Sequence, residues 1–240
     1  MSRIFITGDT HHDVDIDKLS SKKFQHTTGI QEDRLTRDDY LIICGDFGLI
    51  WYSDKQKEKE DYLLKWWNKK PYTVLFIDGN HENFDRLEKF PVQDWHGGKV
   101  HMISDSIIHL MRGQVFEIAG NTFFTMGGAT SIDRAFRTNH ISWWERELPS
   151  SEEYEIAMKN LQNHNMSVDY VITHCCASTY QGDILNHVND IVRDDLNEFF
   201  RKIEFDDKLE FRHWYFGHYH VDKQLDDKHT GLYNRIVQIK

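Results

Sequence analysis

Five short polar blocks each follow an apolar, strand-like run: Gly8-Asp9-Thr10-His11, Gly45-Asp46, Gly79-Asn80-His81-Glu82, Thr173-His174 and Gly217-His218-Tyr219-His220. Carboxylates, neutral imidazoles and one amide oxygen are the ligands that a pair of divalent cations takes, and a parallel or mixed sheet would deliver such segments to one edge. The pattern reads as a two-metal hydrolytic site.

Phosphoester hydrolysis is the reaction that such a pair serves best. Two dications about 3.5–4 Å apart lower the pKa of a bridging water from ~15.7 toward ~7 and clamp the phosphoryl oxygens. Holding them that close takes a bridging carboxylate, and Asp46 is the candidate. Asp9 and His11 then serve one metal, Asn80 and His174 the other, and His218 and His220 divide between them. The i, i+2 spacing of Asp9/His11 and His218/His220 would place each pair on one side of an extended segment. Glycines 8, 45, 79 and 217 permit the tight turns required. With neutral imidazoles, two carboxylates and a bridging hydroxide, two dications leave a net positive site that attracts an anionic substrate. The set contains no thiolate, which disfavours a structural zinc site; Mn²⁺ leads the candidates, with Fe, Co, Ni and Zn open. His81, beside Asn80, is free to protonate the leaving oxygen or to stabilise developing charge. Asp78 and Glu82 are candidates to orient imidazoles. For His26, His101, His109, His140, His164 and His229 surface or core roles are the default, and His187 is left out of the ligand set.

The elements that must position these blocks are short. Arg3 to Thr7, Tyr40 to Cys44 and Tyr72 to Ile77 read as buried strands closed by turns. Asp54 to Lys70 between the last two carries Tyr62, Leu63, Trp66 and Trp67 at helical spacing, making a strand–helix–strand unit with parallel pairing. Runs at 100–103, 106–111, 114–118 and 122–126 read as an antiparallel meander leading into a second sheet, with turns at Arg112-Gly113 and Gly120-Asn121. Helices are expected from Ser151 to about Asn165 and from Ile191 to Ile203. Further strands are expected at 168–173, 213–216, 221–225 and 232–239. The stretches 13–39 and 127–150 are irregular. The second, with Arg134, Arg137, Arg146 and Trp143-Trp144, reads equally well as a substrate-facing excursion or as tryptophans packing beside solvated arginines.

The 240 residues suit one domain over 1–240, with 39% hydrophobic and 28% charged residues and three prolines arguing against disorder. A net charge of −10 argues against long phosphate-backbone contacts, so a small phosphorylated substrate is favoured over nucleic acid. Cys44, Cys175 and Cys176, odd in number and without CxxC spacing, read as small buried hydrophobes in a reducing cytoplasm. The N-terminus shows no signal-peptide pattern, and no apolar run approaches the ~20 residues of a membrane span.

In order and spacing, Asp9-x-His11, Gly45-Asp46, Gly79-Asn80-His81-Glu82, His174 and Gly217-His218-x-His220 resemble the calcineurin-like metallophosphoesterase superfamily over residues 8–220. The resemblance implies an α/β (α+β) fold: a two-sheet β-sandwich of mixed strands flanked by helices. It also implies a liganding scheme, with Asp9, His11, Asp46 and His220 on one metal and Asp46, Asn80, His174 and His218 on the other. His81 would take the acid or transition-state role. The serine/threonine phosphatase branch places Gly after its first block and Asp-Arg-Gly at its second; here His12 and Asp46-Phe47-Gly48-Leu49 stand there, so that branch's phosphate-clamping arginine is missing. Arg86, Arg134 or Arg137 could replace it. The expected activity is metal-dependent hydrolysis of a small phosphodiester or phosphomonoester, including nucleotides. A nuclease, a protein phosphatase and a non-catalytic scaffold are the competing readings.

Overall fold

A computed structural model describes residues 2–53, 57–185 and 191–240. Thirteen strands run in chain order among the described residues: β1 (Ile4–Thr7), β2 (Tyr40–Ile43), β3 (Thr73–Phe76), β4 (Val92–Trp95), β5 (Gly98–Ser104), β6 (Ile107–Leu110), β7 (Gln114–Ile118), β8 (Asn121–Met126), β9 (Tyr170–Thr173), β10 (His213–Phe216), β11 (Lys223–Gln224), β12 (His229–Gly231) and β13 (Ile236–Gln238). They form two mixed sheets, ordered β13-β1-β2-β3-β6-β5-β4 and β11-β12-β10-β9-β8-β7. The helices are α1 (Ser21–Thr28), α2 (Lys57–Asn68), α3 (Phe84–Leu87), α4 (Ser151–Asn163), α5 (Ser178–Ile184) and α6 (Asp195–Arg201).

Alternation along the central strands builds the layers. Ile4, Ile6, Ile42 and Leu75 of the first sheet meet Phe116, Phe123, Ile172 and Tyr215 of the second in a shared core. The opposite faces are apolar too, so these strands read as continuous hydrophobic runs. Phe5, Leu41, Ile43 and Phe76 are covered by Phe24 of α1 and by Leu63 and Trp67 of α2, while Tyr62 is exposed. Phe124, Met126, Val171 and Trp214 are covered by Ala157 and Leu161 of α4 and by Leu196 and Phe200 of α6. The result is a two-sheet sandwich with helices outside, as expected. Helix α4 begins with a capping box in which the Glu153 amide donates to Ser150 Oγ and the Ser150 amide donates to Glu153 Oε2.

The parallel unit is present: β1 pairs with β2 and β2 with β3, all parallel, with α2 between the latter two. The helix's expected start at Asp54 lies outside the described residues, as does His187. The meander is corrected. β5–β6 and β7–β8 are separate antiparallel hairpins, and the chain leaves one sheet for the other at Arg112-Gly113, with β6 parallel to β3. The stretch 13–39 is not wholly irregular, since α1 ends there on Gly29 in the left-handed conformation. The helix expected from Ile191 starts at Asp195, where Asp194 caps it by accepting from the Asn197 amide. Edge strand β4 and the short β12 were not anticipated, and β13 joins the first sheet, antiparallel to β1. Among the described residues no helix is long and apolar enough to cross a membrane.

Candidate metal centre

Every polar block lies in the turn leaving the carboxyl end of a strand: β1, β2 and β3 in one sheet, β9 and β10 in the other. Since each of those sets is parallel, the turns converge on one edge of the sandwich. Asp46 is the meeting point. One carboxylate oxygen lies 3.1 Å from His11 Nε2 and the other 3.2 Å from His174 Nε2, and the latter also accepts from the His81 amide at 2.7 Å. His174 Nε2 is 3.2 Å from Asn80 Oδ1. Asp9, fully buried, accepts from the His218 amide at 3.1 Å and lies 3.3 Å from His220 Nε2. One potential ligand atom each from Asp9, His11 and His220 falls within 4.8 Å of the others. His218 and His174 have ring centroids 5.0 Å apart. The structure thus gathers all eight residues singled out in the sequence.

The way they are gathered differs from an extended i, i+2 presentation. His11, Asp46, His218 and His220 have φ of 41°, 46°, 68° and 51°, the left-handed region that non-glycine residues avoid. Such strain is held where surrounding packing over-determines it, commonly at functional sites. Glycine is needed here chiefly for close approach. A Cβ on Gly217 would lie 2.2 Å from Asp9 Oδ1, and one on Gly79 would lie 2.1 Å from Asp46 Oδ1.

Tautomers are fixed from behind. His174 Nδ1 lies 2.8 Å from the Cys44 carbonyl, an acceptor only, so Nε2 carries the lone pair that faces Asp46 and Asn80 when the ring is neutral. His11 Nδ1 donates to Asp15 at 2.6 Å, and Asp15 in turn accepts from the Tyr233 hydroxyl at 2.8 Å. Tyr233 also stacks on the His220 ring, centroids 4.7 Å apart and 14° from parallel. The proposed orienting roles of Asp78 and Glu82 are not seen. Asp78 accepts from His109 and Arg112 in the core, and Glu82 accepts from the Gly48 amide. Both are buried but neither touches a ligand imidazole, because their side chains leave the turn on its core side.

Charge is concentrated and mutually compensated. Burial works to raise the Asp46 carboxyl, but the fields and hydrogen bonds of His174 and His11 hold it well below the usual carboxylate range. His174 answers oppositely: burial lowers it, yet Asp46 and Asp9 together hold it up at about 9. Burial and the neighbouring His174 push His218 down to about 3. In the absence of cations the cluster therefore holds a proton on His174 that ligation would displace. Two buried carboxylates, four imidazoles of which His11 and His174 have their second nitrogens occupied, an amide oxygen and no thiolate suit divalent cations of the Mn²⁺ to Zn²⁺ series. The three cysteines are buried and unpaired, as anticipated.

A cleft of ≈ 410 Å³ opens beside Asp46, Asn80 and His81, walled by Ser131, Ile132 and Arg137 from the 127–150 excursion. Of the three arginines considered for a phosphate clamp, Arg137 is the one at the site, its Nη2 3.2 Å from His81 Nε2. Arg86 is paired with Glu60 and the Tyr52 carbonyl, and Arg134 stacks on Trp143. Ser131 Oγ accepts from the Asn80 amide at 3.2 Å. The excursion therefore faces the site, and it also packs, with Trp144 buried and its indole donating to Asp85.

A model of the family described as calcineurin-like phosphoesterase matches residues 2–222. The chain belongs to the calcineurin-like phosphoesterase family. A calcineurin-like phosphoesterase is a metal-dependent enzyme hydrolysing phosphoesters, and the metal-ligand types clustered here agree with that chemistry. No curated protein matches the chain. Two residues that bear on the metal centre of this phosphoesterase gave no recognisable signal in the sequence. Tyr233 lies beyond the matched span, and buried Lys18 donates to the carbonyls of Gly8, Asp9 and Tyr233, binding the β1 turn to the segment before β13. Burial lowers Lys18 to about 8.

Proposed function

We propose that this enzyme hydrolyses a small phosphodiester with two divalent cations, Mn²⁺ being the first to test. Asp9, His11, Asp46 and His220 would hold one, and Asp46, Asn80, His174 and His218 the other. The observation that carries this reading is the shared Asp46 carboxylate, each oxygen facing a different imidazole Nε2. When bound, the cations supply Lewis acidity and neutralise charge developing on the phosphoryl oxygens. A diester is preferred to a monoester because the ligand set borders two pockets, the ≈ 410 Å³ cleft and a second of ≈ 510 Å³, one for each ester arm. Both are small, which with the net charge of −10 favours a small substrate over nucleic acid.

Arg137 can only donate, so His81 Nε2 accepts from it and the ring hydrogen of the neutral imidazole sits on Nδ1. Burial and the Arg137 charge keep His81 below its ordinary value. A phosphoryl group entering the cleft competes for the guanidinium; once Arg137 turns to it, His81 Nε2 is released to take a proton from solvent and pass it to the leaving oxygen. Residues 1–240 act as one domain on this reading, since both sheets contribute ligands, and the unpaired cysteines suit a cytoplasmic enzyme.

The test is the initial rate with bis-p-nitrophenyl phosphate and p-nitrophenyl phosphate, using metal-stripped protein reloaded with Mn²⁺, Ni²⁺ or Zn²⁺. Diester hydrolysis lost in Asp46→Asn is expected. Monoester preference would make the enzyme a phosphatase, and inactivity on both with metals bound would overturn the reading.

A further inference from the structure

The second pocket differs in kind from the cleft. Trp51, Tyr52 and Tyr233 contribute aromatic walls, His11, His81 and His220 border it from the metal centre, and Asp13 and Asp15 add carboxylates. Lys59 Nζ lies over the Tyr52 ring, 5.3 Å from its centroid, while in the cleft Arg137 Nε is paired with Asp133 at 2.6 Å. What sets the second pocket apart is its aromatic lining, which suits a planar group. The aromatic walls are held in place. The Trp51 carbonyl accepts from Asn83 Nδ2 at 3.1 Å and the Tyr52 carbonyl from Arg86 Nη1 at 2.6 Å. The Trp51 ring packs edge-on against Trp144, 5.7 Å between centroids, and lies 5.9 Å from the His81 ring at 34°. Tyr52 meets the His12 ring edge-on at 4.7 Å. A pre-ordered ring next to the reacting centre binds a flat ligand without a further ordering cost.

We infer that this pocket is a base subsite: it takes the uncharged heteroaromatic ring of a nucleotide-class phosphoester, stacked on Trp51, while the phosphoryl group lies at the metal ligands. The inference rests on the phosphoester reading and narrows its substrate class. Base-on-aromatic stacking is tolerant of which base is present, so the subsite selects for a nucleobase over its absence rather than for one sequence.

Calorimetric titration of Mn²⁺-loaded protein with adenosine 5′-monophosphate and with ribose 5-phosphate separates the base from the phosphate. The nucleotide should bind about tenfold more tightly or better. Trp51→Ala should bring it down to the level of ribose 5-phosphate, and Trp51→Phe, which keeps a ring against Trp144, should retain most of the preference. Equal affinity of the two compounds for the wild-type protein, which requires no variant, overturns the subsite. So does a preference that survives in folded Trp51→Ala. If neither compound shows Mn²⁺-dependent binding, the phosphoester reading itself fails and the subsite with it.

Discussion

The two halves of the ligand set are braced by different means. Asn80 and His174 are buried, and His174 is held by the backbone carbonyl of Cys44, at the end of β2 in the opposite sheet. On the other side the His220 side chain is 49% exposed, and His11 is held through side chains, Asp15 and then Tyr233, drawn from segments 218 residues apart. A brace made of sheet backbone moves only if the sheet does. One made of side chains can adjust and is wetted by solvent. The difference teaches that one ligand cluster need not be uniformly rigid: on the two-cation reading, the cation on the His174 side would be the slower to exchange and the one on the His11 side the faster.

The most severe way to break this contrast is to remove what both halves share. Asp46→Asn should bring phosphoesterase activity to background and lower the metal content measured by mass spectrometry; retention of two cations per chain would refute a bridging role. His81→Ala should leave both halves loaded while kcat falls about 10²- to 10⁴-fold, with poor leaving groups affected most. Metal loss in that variant would instead make His81 a ligand. Tyr233→Phe sharpens the contrast. It keeps the stack on His220 but removes the donor to Asp15, and should weaken one cation about 10- to 100-fold while sparing the other. A calorimetric isotherm in which both sites weaken equally would erase the distinction.

The smallest expected effect, counted per unit step, is that of pH. In the metal-free protein His174 is raised to about 9 from its ordinary value, so its proton stabilises the fold below about 6.5 and that stabilisation is lost as pH rises through about 9. A cation must displace the proton. Affinity should therefore climb with pH by at most about tenfold per unit up to about 9 and then level off, with proton release visible in buffers of different ionisation enthalpy. Affinity that is flat between pH 7 and 9 would show that His174 is already neutral.

Much of this centre was legible because each ligand follows a strand buried on both faces, such as Ile4–Thr7 or Thr73–Phe76, whose unbroken apolar run ends abruptly at a polar turn. The elements that were missed lack that contrast. β4 is largely exposed, β12 has three residues, and the change of sheet at Arg112-Gly113 looks like any hairpin turn. The braces escaped for another reason. Lys18 and Tyr233 act across more than 200 residues, a relation that no local spacing encodes, although Asp15 at i+4 from His11 was within reach. Arg137 stood among three candidate arginines, and only the path of the 127–150 excursion separates it from Arg134, whose guanidinium lies over Trp143.

The pairing of β1 with β13 carries a kinetic consequence. Thr7, two residues before Asp9, donates to the Arg235 carbonyl across 228 residues, so the Asp9 turn is completed by one of the longest loop closures the chain can make. Contacts of such separation are slow to form, because the entropy of closing the loop is spent before they return anything. The finished centre is thus a late product of folding. Manganese added to a refolding chain would leave the rate of the main folding phase nearly unchanged and slow unfolding instead, acting as a latch on the native state rather than as a template for reaching it.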